Sequence, residues 1–310
     1  MFGILFVREA GLSWWWLIVG CTLGKATSAT DAPMSDDSGP VVEAGETGQV
    51  PDETACNGHP SLCDRTLQQI TLPGTHNSMS NADAGWLAPN QQHGITRQLE
   101  EGIRAMMLDT MEWNGEPYLC HGYCELGAQP LAEGLQEIED FLAAHPREVL
   151  LIIFQDGLSV EVMVEVITEV GLSERVWTHD GESFPTLEEM IDAGQQLVVT
   201  AESGSPPPEW YQHAWSLITD TPYSFRSADD FSCERLRGEE ENPLFLVNHW
   251  LGTPLPTEEG AIEVNHTDIL QARAEECGRA RDRPVNILAV DFYHQGDLFT
   301  VVDQLNGLNP

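Results

Sequence analysis

The chain has 310 residues, with 14 Lys or Arg against 50 Asp or Glu, and its formal net charge is −36 at pH 7. A hydrophobic fraction of 41% is enough for a packed core and excludes a wholly disordered protein. The negative charge excludes a nucleic-acid binder that relies on a basic surface, and the lack of a long apolar run after the N-terminal region excludes a multi-span membrane protein.

Residues 1–24 have the pattern of an export signal. The apolar run 12–20 follows Arg8 and is too short to span a bilayer comfortably. The segment Ile18-Val-Gly-Cys21 resembles a bacterial lipobox, in which the cysteine is lipidated. The alternative is a plain signal peptide with an incidental Cys21. Both alternatives predict an exported protein, either extracellular or lipid-anchored at the cell envelope.

Residues 25–54 differ in composition from the rest of the chain. They are rich in Ser, Thr, Asp, Glu, Gly and Pro and contain few large apolar side chains. Such a segment cannot bury enough surface to order itself, which predicts an acidic, disordered linker. The folded domain is then expected to occupy residues 55–310.

The cysteines support export independently. Setting aside Cys21, the chain has six: Cys56, Cys63, Cys120, Cys124, Cys233 and Cys277. An even number in an exported chain predicts disulfides, and proximity in sequence favours 56–63 and 120–124, which leaves 233–277. A zinc site is the alternative, but no paired CxxC spacing supports it.

Strands and helices are expected to alternate along the domain. The expected strands are 70–74, 105–109, 149–154, 197–200, 244–247 and 285–290. The expected helices are 95–101, 131–142, 160–170, 187–193, 269–280 and 297–305. Alternation over about 250 residues predicts an α/β fold with a parallel sheet closed into a barrel.

Polar residues follow three of these strands, where the loops of such a barrel carry chemistry. His76 follows the first strand, Asp109 ends the second with His121 shortly after it, and Asp291 follows the last. Two histidines and a carboxylate on separate loops could act as a base, an acid and an orienting group. Three further residues are candidates to line a pocket or to complete the core: His249, Trp250 and Tyr293.

Four ordered motifs resemble one known family. They are Leu72-Pro-Gly-Thr-His-Asn-Ser78, Gly102-Ile-Arg-Ala-Met-Met-Leu-Asp109, Leu119-Cys-His-Gly122 and Val290-Asp-Phe292. Together they resemble the X domain of phosphatidylinositol-specific phospholipase C, and more narrowly the exported bacterial and fungal PLC-like phosphodiesterases. The resemblance runs from about residue 64 to the C-terminus and implies a distorted TIM-type (β/α)8 barrel that cleaves phosphodiesters.

The resemblance also implies roles for individual residues. His76 matches the general base, His121 the general acid, and Asp291 the carboxylate that orients the base. Asn77 lies where the family places a residue that contacts phosphate or metal. Asp109 lies where calcium-dependent members place a metal ligand and calcium-independent bacterial members an arginine.

Calcium-dependent members would stabilise the charge of the phosphoryl group with a metal ion, and calcium-independent members with an arginine. The sequence departs from both patterns. Met107 and Gln155 stand where calcium-dependent members have acidic ligands, and Asp156 is the neighbouring carboxylate that could substitute. The expected metal ligands are therefore Asn77, Asp109 and Asp156, with Gln155 as a substrate contact, and calcium remains an open alternative. No organic cofactor is expected.

The resemblance implies an exported phosphodiesterase that acts on a phosphoinositide or related phospholipid at a membrane surface. His/His acid–base catalysis would proceed through a cyclic phosphate. Two alternatives remain: a glycerophosphodiester phosphodiesterase, and a non-catalytic barrel that binds lipid or sugar headgroups.

Overall fold

The computed structural model describes residues 54–308, apart from 180, 182, 253 and 254. The expected signal segment with Cys21, and the linker up to residue 53, lie outside the described residues. The expected domain boundaries therefore stay predictions.

The described residues include ten strands, eight of which form a curled parallel sheet. Their bounds are β1 Leu72–Thr75, β2 Ala105–Trp113, β3 Glu116–Leu119, β4 Gln129–Pro130, β5 Leu150–Asp156, β6 Leu197–Ala201, β7 Gln212–His213, β8 Ile218–Asp220, β9 Leu244–His249 and β10 Ile287–Val290. The hydrogen-bonded order of the parallel strands is β7-β6-β5-β2-β1-β10-β9-β8. The first and last of the described strands, β1 and β10, thus pair with each other, as in a TIM-type barrel.

In the part of the chain that the structure describes, eight α-helices connect and cover the strands. Their bounds are α1 Ile95–Glu100, α2 Leu131–Ala144, α3 Val160–Glu169, α4 Leu187–Asp192, α5 Ala214–Leu217, α6 Glu258–Val264, α7 Thr267–Ala280 and α8 Leu298–Leu305. The longer helices bury one apolar face; in α2 the buried residues include Leu131, Leu135, Ile138 and Leu142.

The barrel is distorted on one side. Within residues 54–308 and their stated gaps, no ladder of hydrogen bonds joins β7 to β8, so the ring of strands has an open seam. The segment 221–243, between β8 and β9, contains only the 3₁₀ turn Ala228–Asp230 in place of an α-helix. The expected α/β barrel of distorted TIM type is confirmed, and the seam is where it departs from an ideal one.

The central strands are buried on both faces. The first five residues of β5, all of β6 and all of β9 are buried, as expected for parallel strands covered by helices outside and by the barrel core inside. Two apolar clusters result, one between sheet and helices and the other inside the barrel. This packing holds the carboxyl ends of the strands in a fixed row.

A hairpin that the sequence analysis did not include extends β2. The dipeptide Asn114-Gly115 takes positive φ values of 55° and 84°, as a tight hairpin turn requires, and β3 returns antiparallel to β2. β3 then leads directly into Cys120 and His121. The hairpin therefore places His121 at the mouth of the barrel.

All three expected disulfides are present: Cys56–Cys63, Cys120–Cys124 and Cys233–Cys277. The zinc alternative fails for these cysteines because each sulfur is bonded to another. Among the described residues, none of the helices has the length and apolar character needed to cross a membrane.

Candidate active site

The register of the parallel strands brings polar residues into one row. Thr75 of β1 pairs with Val290 of β10, so the residues that follow them, His76 and Asp291, are neighbours at the carboxyl edge. Likewise Asp109 pairs with Gln155. In the next ladder Phe154 pairs with Ala201, and this brings Gln155 beside Glu202. The order and register of the strands therefore place these polar residues next to one another.

His76 is held in one orientation by two contacts. Its Nδ1 lies 2.9 Å from Oδ1 of Asp291, and its ring stacks on Trp250 with centroids 3.9 Å apart and planes at 5°. Since a carboxylate oxygen accepts, this hydrogen bond requires the proton of a neutral His76 ring on Nδ1, and Nε2 then keeps its lone pair. The His76 side chain is 21% exposed and that of Asp291 only 4%. This arrangement suits a general base with a buried orienting carboxylate.

Asn90 reinforces this pair and was not anticipated from the sequence. Its Nδ2 donates to Oδ1 of Asp291 at 3.1 Å, and its Oδ1 accepts from Nδ2 of Asn77 at 3.2 Å. The backbone N–H of Phe292 donates to the Asn90 carbonyl at 2.8 Å. Asn90 thus ties together the loops after β1 and β10 and fixes the Asp291 carboxylate.

His121 faces His76 across the cleft. The two ring centroids are 6.4 Å apart and the ring planes make an angle of 72°. Hydrogen bonds of about 2.8 Å from each ring to one phosphoryl group would bridge such a gap. His121 is exposed at the surface, and the protein on one side of its ring displaces part of the surrounding water. This partial desolvation lowers the pKa of His121; the nearby His76 acts in the same direction and Asp291 opposes it.

Three adjoining spaces make up the cleft. The first cavity, of about 160 Å³, is lined by His76, Asn77, Met107, Asp109, Ile153, Gln155, Glu202, Tyr223, Arg237 and Trp250. The second cavity, of about 250 Å³, shares several of these residues and adds Asn90 and His121. An apolar groove of about 230 Å³ also touches His121, and its other walls include Trp86, Leu87, Tyr123, Leu126 and Leu255.

The first cavity is acidic. Asp109 is 8% exposed, and its carboxylate accepts no hydrogen bond within the described residues. Burial raises the pKa of Asp109 to about 7; His76 opposes this rise and Glu202 adds to it. Burial likewise raises the pKa of Glu202, against the opposing effect of Arg237. Two desolvated carboxylates in one cavity form a set of hard oxygen donors that suits a divalent cation.

The structure places three expected site residues away from the cleft. His249 is fully buried, and its Nε2 donates to the Val264 carbonyl. Tyr293 is buried, and its hydroxyl donates to Glu101. Asp156 lines neither cavity and accepts from the Ser203 N–H. These three side chains support the fold. The other two expected substrate contacts, Trp250 and Gln155, do line both cavities.

Two charged residues of the first cavity, Glu202 and Arg237, were not anticipated from the sequence, and neither was the aromatic residue Tyr223. Glu202 follows the buried strand β6 directly, so the rule that selected His76 and Asp291 would have found it. Arg237 comes from the irregular segment 221–243 and carried no local signal.

Comparison with known proteins identifies relatives of the whole domain. The PI-PLC X 1 family model matches residues 62–306, more than half of the chain. A PI-PLC X domain-containing protein of Arthroderma benhamiae is 29% identical, covering 82% of this chain and 90% of the relative. An uncharacterized secreted protein of the same fungus is 28% identical over 94% of this chain and 73% of its own. A PI-PLC X domain-containing protein of Arabidopsis thaliana is 27% identical, covering 89% of this chain and 69% of the relative.

Solved structures show the same fold. A variant of phosphatidylinositol-specific phospholipase C from Staphylococcus aureus superposes with a TM-score of 0.54 at 15% identity, covering 80% of this chain and 95% of that chain. A second structure of that enzyme gives a TM-score of 0.53 at the same identity.

Proposed function

Because this chain belongs to the PI-PLC X domain family, we propose that it is an exported phosphodiesterase of the phospholipase C type, which removes the headgroup from a phosphoinositide or related phospholipid. The observation that carries the proposal is the pair of imidazoles: His76, bonded to Asp291 at 2.9 Å, and His121, 6.4 Å away across an open cleft.

The order of the spaces along the cleft supports a placement of the two ends of the substrate. His76 lines the polar first cavity, His121 lines the apolar groove, and both line the second cavity between them. A base must lie beside the attacking hydroxyl and an acid beside the leaving oxygen. The hydroxylated headgroup would therefore occupy the first cavity, the phosphoryl group the second, and the apolar alcohol the groove.

In the first step, Nε2 of His76 takes the proton from a headgroup hydroxyl adjacent to the phosphodiester. The resulting oxygen attacks phosphorus, the bond from phosphorus to the lipid oxygen breaks, and His121 gives its proton to that oxygen. Asp291 stabilises the imidazolium that forms at His76. The products are a cyclic phosphate and a diacylglycerol.

In the second step the histidines exchange roles. Neutral His121 takes a proton from water, and the hydroxide attacks phosphorus while one ring P–O bond breaks. Protonated His76 gives its proton to the departing ring oxygen, which restores both histidines.

The oxygen donors of the first cavity fit a calcium ion. Asn77, Asp109, Gln155 and Glu202 would hold it, and Glu202 takes the place that the sequence analysis gave to Asp156. When bound, the ion would neutralise charge on the phosphoryl oxygens. The feature that supports this assignment is the carboxylate of Asp109, which accepts no hydrogen bond from any residue that the structure describes.

Export and contact with a lipid surface belong to the same proposal. Three disulfides are typical of a protein that works outside the cytosol.

The apolar groove carries three exposed apolar side chains: Leu87, Tyr123 and Leu255 are exposed by 64%, 72% and 59%. They would allow this side of the enzyme to bind a lipid aggregate. Anchoring through Cys21 remains a separate prediction.

The test is hydrolysis of phosphatidylinositol in neutral detergent micelles, followed by ³¹P NMR. We expect a cyclic phosphate to appear before the ring-opened monoester. His76→Ala and His121→Ala should each lower kcat by at least about 10²-fold, because each removes a proton-transfer group. Their thermal midpoints should stay close to that of the unmodified protein.

His213→Ala is the matched control, because this histidine lines neither cavity and should leave turnover unchanged. Monoester formation without a cyclic species would favour a glycerophosphodiesterase. Binding without turnover of any phosphodiester would favour a non-catalytic headgroup-binding barrel.

A further inference from the structure

Two buried amide side chains lie where the loops after β1 and β10 meet. Asn90 is 1% exposed and Gln91 is fully buried. The backbone N–H groups of both residues donate to the Ser80 carbonyl, at 3.1 and 2.9 Å, and the Gln91 carbonyl accepts from the Ala82 N–H at 2.9 Å. These bonds fix the backbone of the pair. Its side chains need partners of their own, because a buried amide that is left unpaired costs free energy.

The Gln91 side chain bridges the ends of β1 and β10. The Val290 carbonyl, the last of β10, already accepts from the His76 N–H at 3.0 Å. Nε2 of Gln91 donates to this same carbonyl at 3.1 Å and to the His76 carbonyl at 2.8 Å. Its Oε1 accepts from the Tyr293 N–H at 3.2 Å. Gln91 therefore continues the pairing of the two strands into the loops that carry the base and its carboxylate.

Each member of the His76–Asp291 pair is followed by a residue with a left-handed backbone. The φ angle is 45° both at Asn77 and at Phe292. This conformation is uncommon for residues other than glycine, and for a bulky residue such as Phe it persists only where surrounding contacts hold it. Asn90 provides these contacts, since its Oδ1 accepts from Nδ2 of Asn77 at 3.2 Å and its carbonyl accepts from the Phe292 N–H at 2.8 Å.

Asn90 also selects the oxygen of Asp291 that faces His76. Its Nδ2 donates at 3.1 Å to Oδ1, the atom that accepts from Nδ1 of His76. Oδ2 of Asp291 is buried and has no hydrogen-bond partner within the described residues. Because a carboxylate presents two equivalent oxygens, the second bond to Oδ1 fixes the plane of the group and thereby the direction of the His76 ring.

The two amides differ in what else they contact. Asn90 lines the second cavity, and Asn77, which it orients, is one of the residues proposed to hold calcium. Gln91 lines none of the three spaces, and its side chain bonds to no proposed calcium ligand. An effect of Gln91 on the reaction must therefore act through the backbone of the two loops, whether or not an ion is bound.

We propose that Asn90 and Gln91 are positioning residues, which hold His76 and Asp291 in the relative orientation that the base requires. This inference rests on the proposed function, because it concerns the base of that same reaction. Loss of the Gln91 bonds should then lower turnover without weakening the binding of substrate.

The kinetic test replaces Gln91 by methionine, which has a similar volume and makes none of the three side-chain hydrogen bonds. The substrate is phosphatidylinositol in neutral detergent micelles with millimolar calcium. We expect kcat of Gln91→Met to fall about 10- to 100-fold, because the base loses its fixed direction, while KM stays within about threefold. A fall in kcat of less than about threefold overturns the inference.

Asn286→Leu is the matched control. Asn286 is a buried amide at the other end of β10, and its side chain also bonds to two backbone carbonyls and one backbone N–H, those of Leu67, Ile70 and Phe245. The variant should lower the thermal midpoint about as much as Gln91→Met does and keep its kcat. Equal losses of kcat in the two variants would assign the effect to general destabilisation and overturn the inference.

Asn90→Ala is the second test variant, and it decides the question if Gln91→Met does not fold. It removes one amide and keeps the backbone bonds to Ser80 and Phe292. We expect a fall in kcat of about 10- to 100-fold here as well. A kcat within about threefold of that of the unmodified protein overturns the role of Asn90.

A measurement without substrate separates this inference from the proposed function. In protein labelled with ¹⁵N-histidine, the Nδ1–H proton of His76 is protected from exchange while it is bonded to Asp291. With a chelator present, we expect its resonance in the unmodified protein and in Asn286→Leu, and its loss through exchange with water in Gln91→Met and Asn90→Ala. That result supports the positioning role even if the unmodified protein cleaves no phosphodiester. Retention of the resonance in both test variants overturns the role even if cleavage is fast.

Discussion

The ionisation of Asp109 links the cleft to the stability of the fold. Burial raises its pKa to about 7 from the ordinary value of 3.8, so the folded state retains a proton that the unfolded chain loses at lower pH. The contribution of Asp109 to the stability of the fold therefore declines as the pH rises from about 4 to about 7, and the loss is complete above that interval.

We predict that Asp109→Asn stabilises the protein at alkaline pH, since the amide carries no charge to bury. The free energy of unfolding should rise by roughly 2–4 kcal/mol at pH 8 and change little at pH 4. Urea unfolding at both pH values measures this. Asp64→Asn, at an exposed position, is the control and should show no such pH-dependent gain. Equal effects of Asp109→Asn at both pH values would contradict the explanation.

Calcium should act on the same carboxylate. If the ion binds in the first cavity, adding it at pH 8 raises the thermal midpoint of the unmodified protein, because the ion compensates the buried charge. Asp109→Asn should lose most of this response. An unchanged midpoint for the unmodified protein at millimolar calcium would speak against calcium as the bound ion.

At the scale of single residues, the ends of buried strands pointed to candidate site residues. A strand end does not show, however, to which side of the strand a side chain points. His76 and Asp291 were selected because each follows a buried strand, and Asp109 was selected as the expected end of a strand that in fact continues to Trp113. His249 was misassigned because neighbouring residues of an extended segment point to opposite sides. Trp250 faces the cleft, so His249 turns into the packed region behind it.

Arg237 could not be found by any local pattern. It lies in an irregular segment, and its position depends on Asp220 and Trp215, which precede it by 17 and 22 residues. Such placement is a tertiary effect that neither periodicity nor spacing encodes.

At the scale of secondary structure, the elements with long apolar patterns were the predictable ones. β5, β6 and β9 contain continuous buried runs, and α2 and α7 repeat apolar positions with helical spacing. β7 and β8 have only two and three residues, too few for any pattern. The β2–β3 hairpin was missed although Asn114-Gly115 is a strong turn signal.

The Cys120–Cys124 disulfide closes a short ring around His121, in which Gly122 takes a φ of 70°. We predict that replacing both cysteines by serine lowers kcat about 10- to 100-fold, because the acid loses its fixed position. The loss of stability should be about 2 kcal/mol, as expected for so small a ring. Steady-state kinetics and thermal unfolding measure the two effects.

Cys56 and Cys63 provide the matched comparison. Their disulfide closes a ring of similar size, and neither residue lines the cleft. The double serine variant at these positions should lose similar stability and keep its kcat. A comparable drop in kcat for both pairs would show that the 120–124 ring has no special role in positioning His121.

For the molecule as a whole, the net charge of −36 governs the approach to lipid. Anionic vesicles repel such a protein, and the repulsion weakens as the Debye length falls from about 30 Å at 0.01 M salt to about 8 Å at 0.15 M. We therefore predict that initial rates on vesicles rich in anionic lipid increase over this range. Neutral detergent micelles serve as the control and should show little change. A steady decline with salt on the vesicles would contradict the prediction.

The open seam between β7 and β8 determines where the first cavity of this barrel can change in width. Because no ladder of backbone hydrogen bonds crosses it within the described residues, the wall formed by β8 and the segment after it can shift outward once the ion pair between Arg237 and Glu202 opens. That wall carries Tyr223 and Arg237. Insertions next to the seam would therefore widen the space for larger sugars while leaving the histidines, which stand on the continuous side, at their original separation.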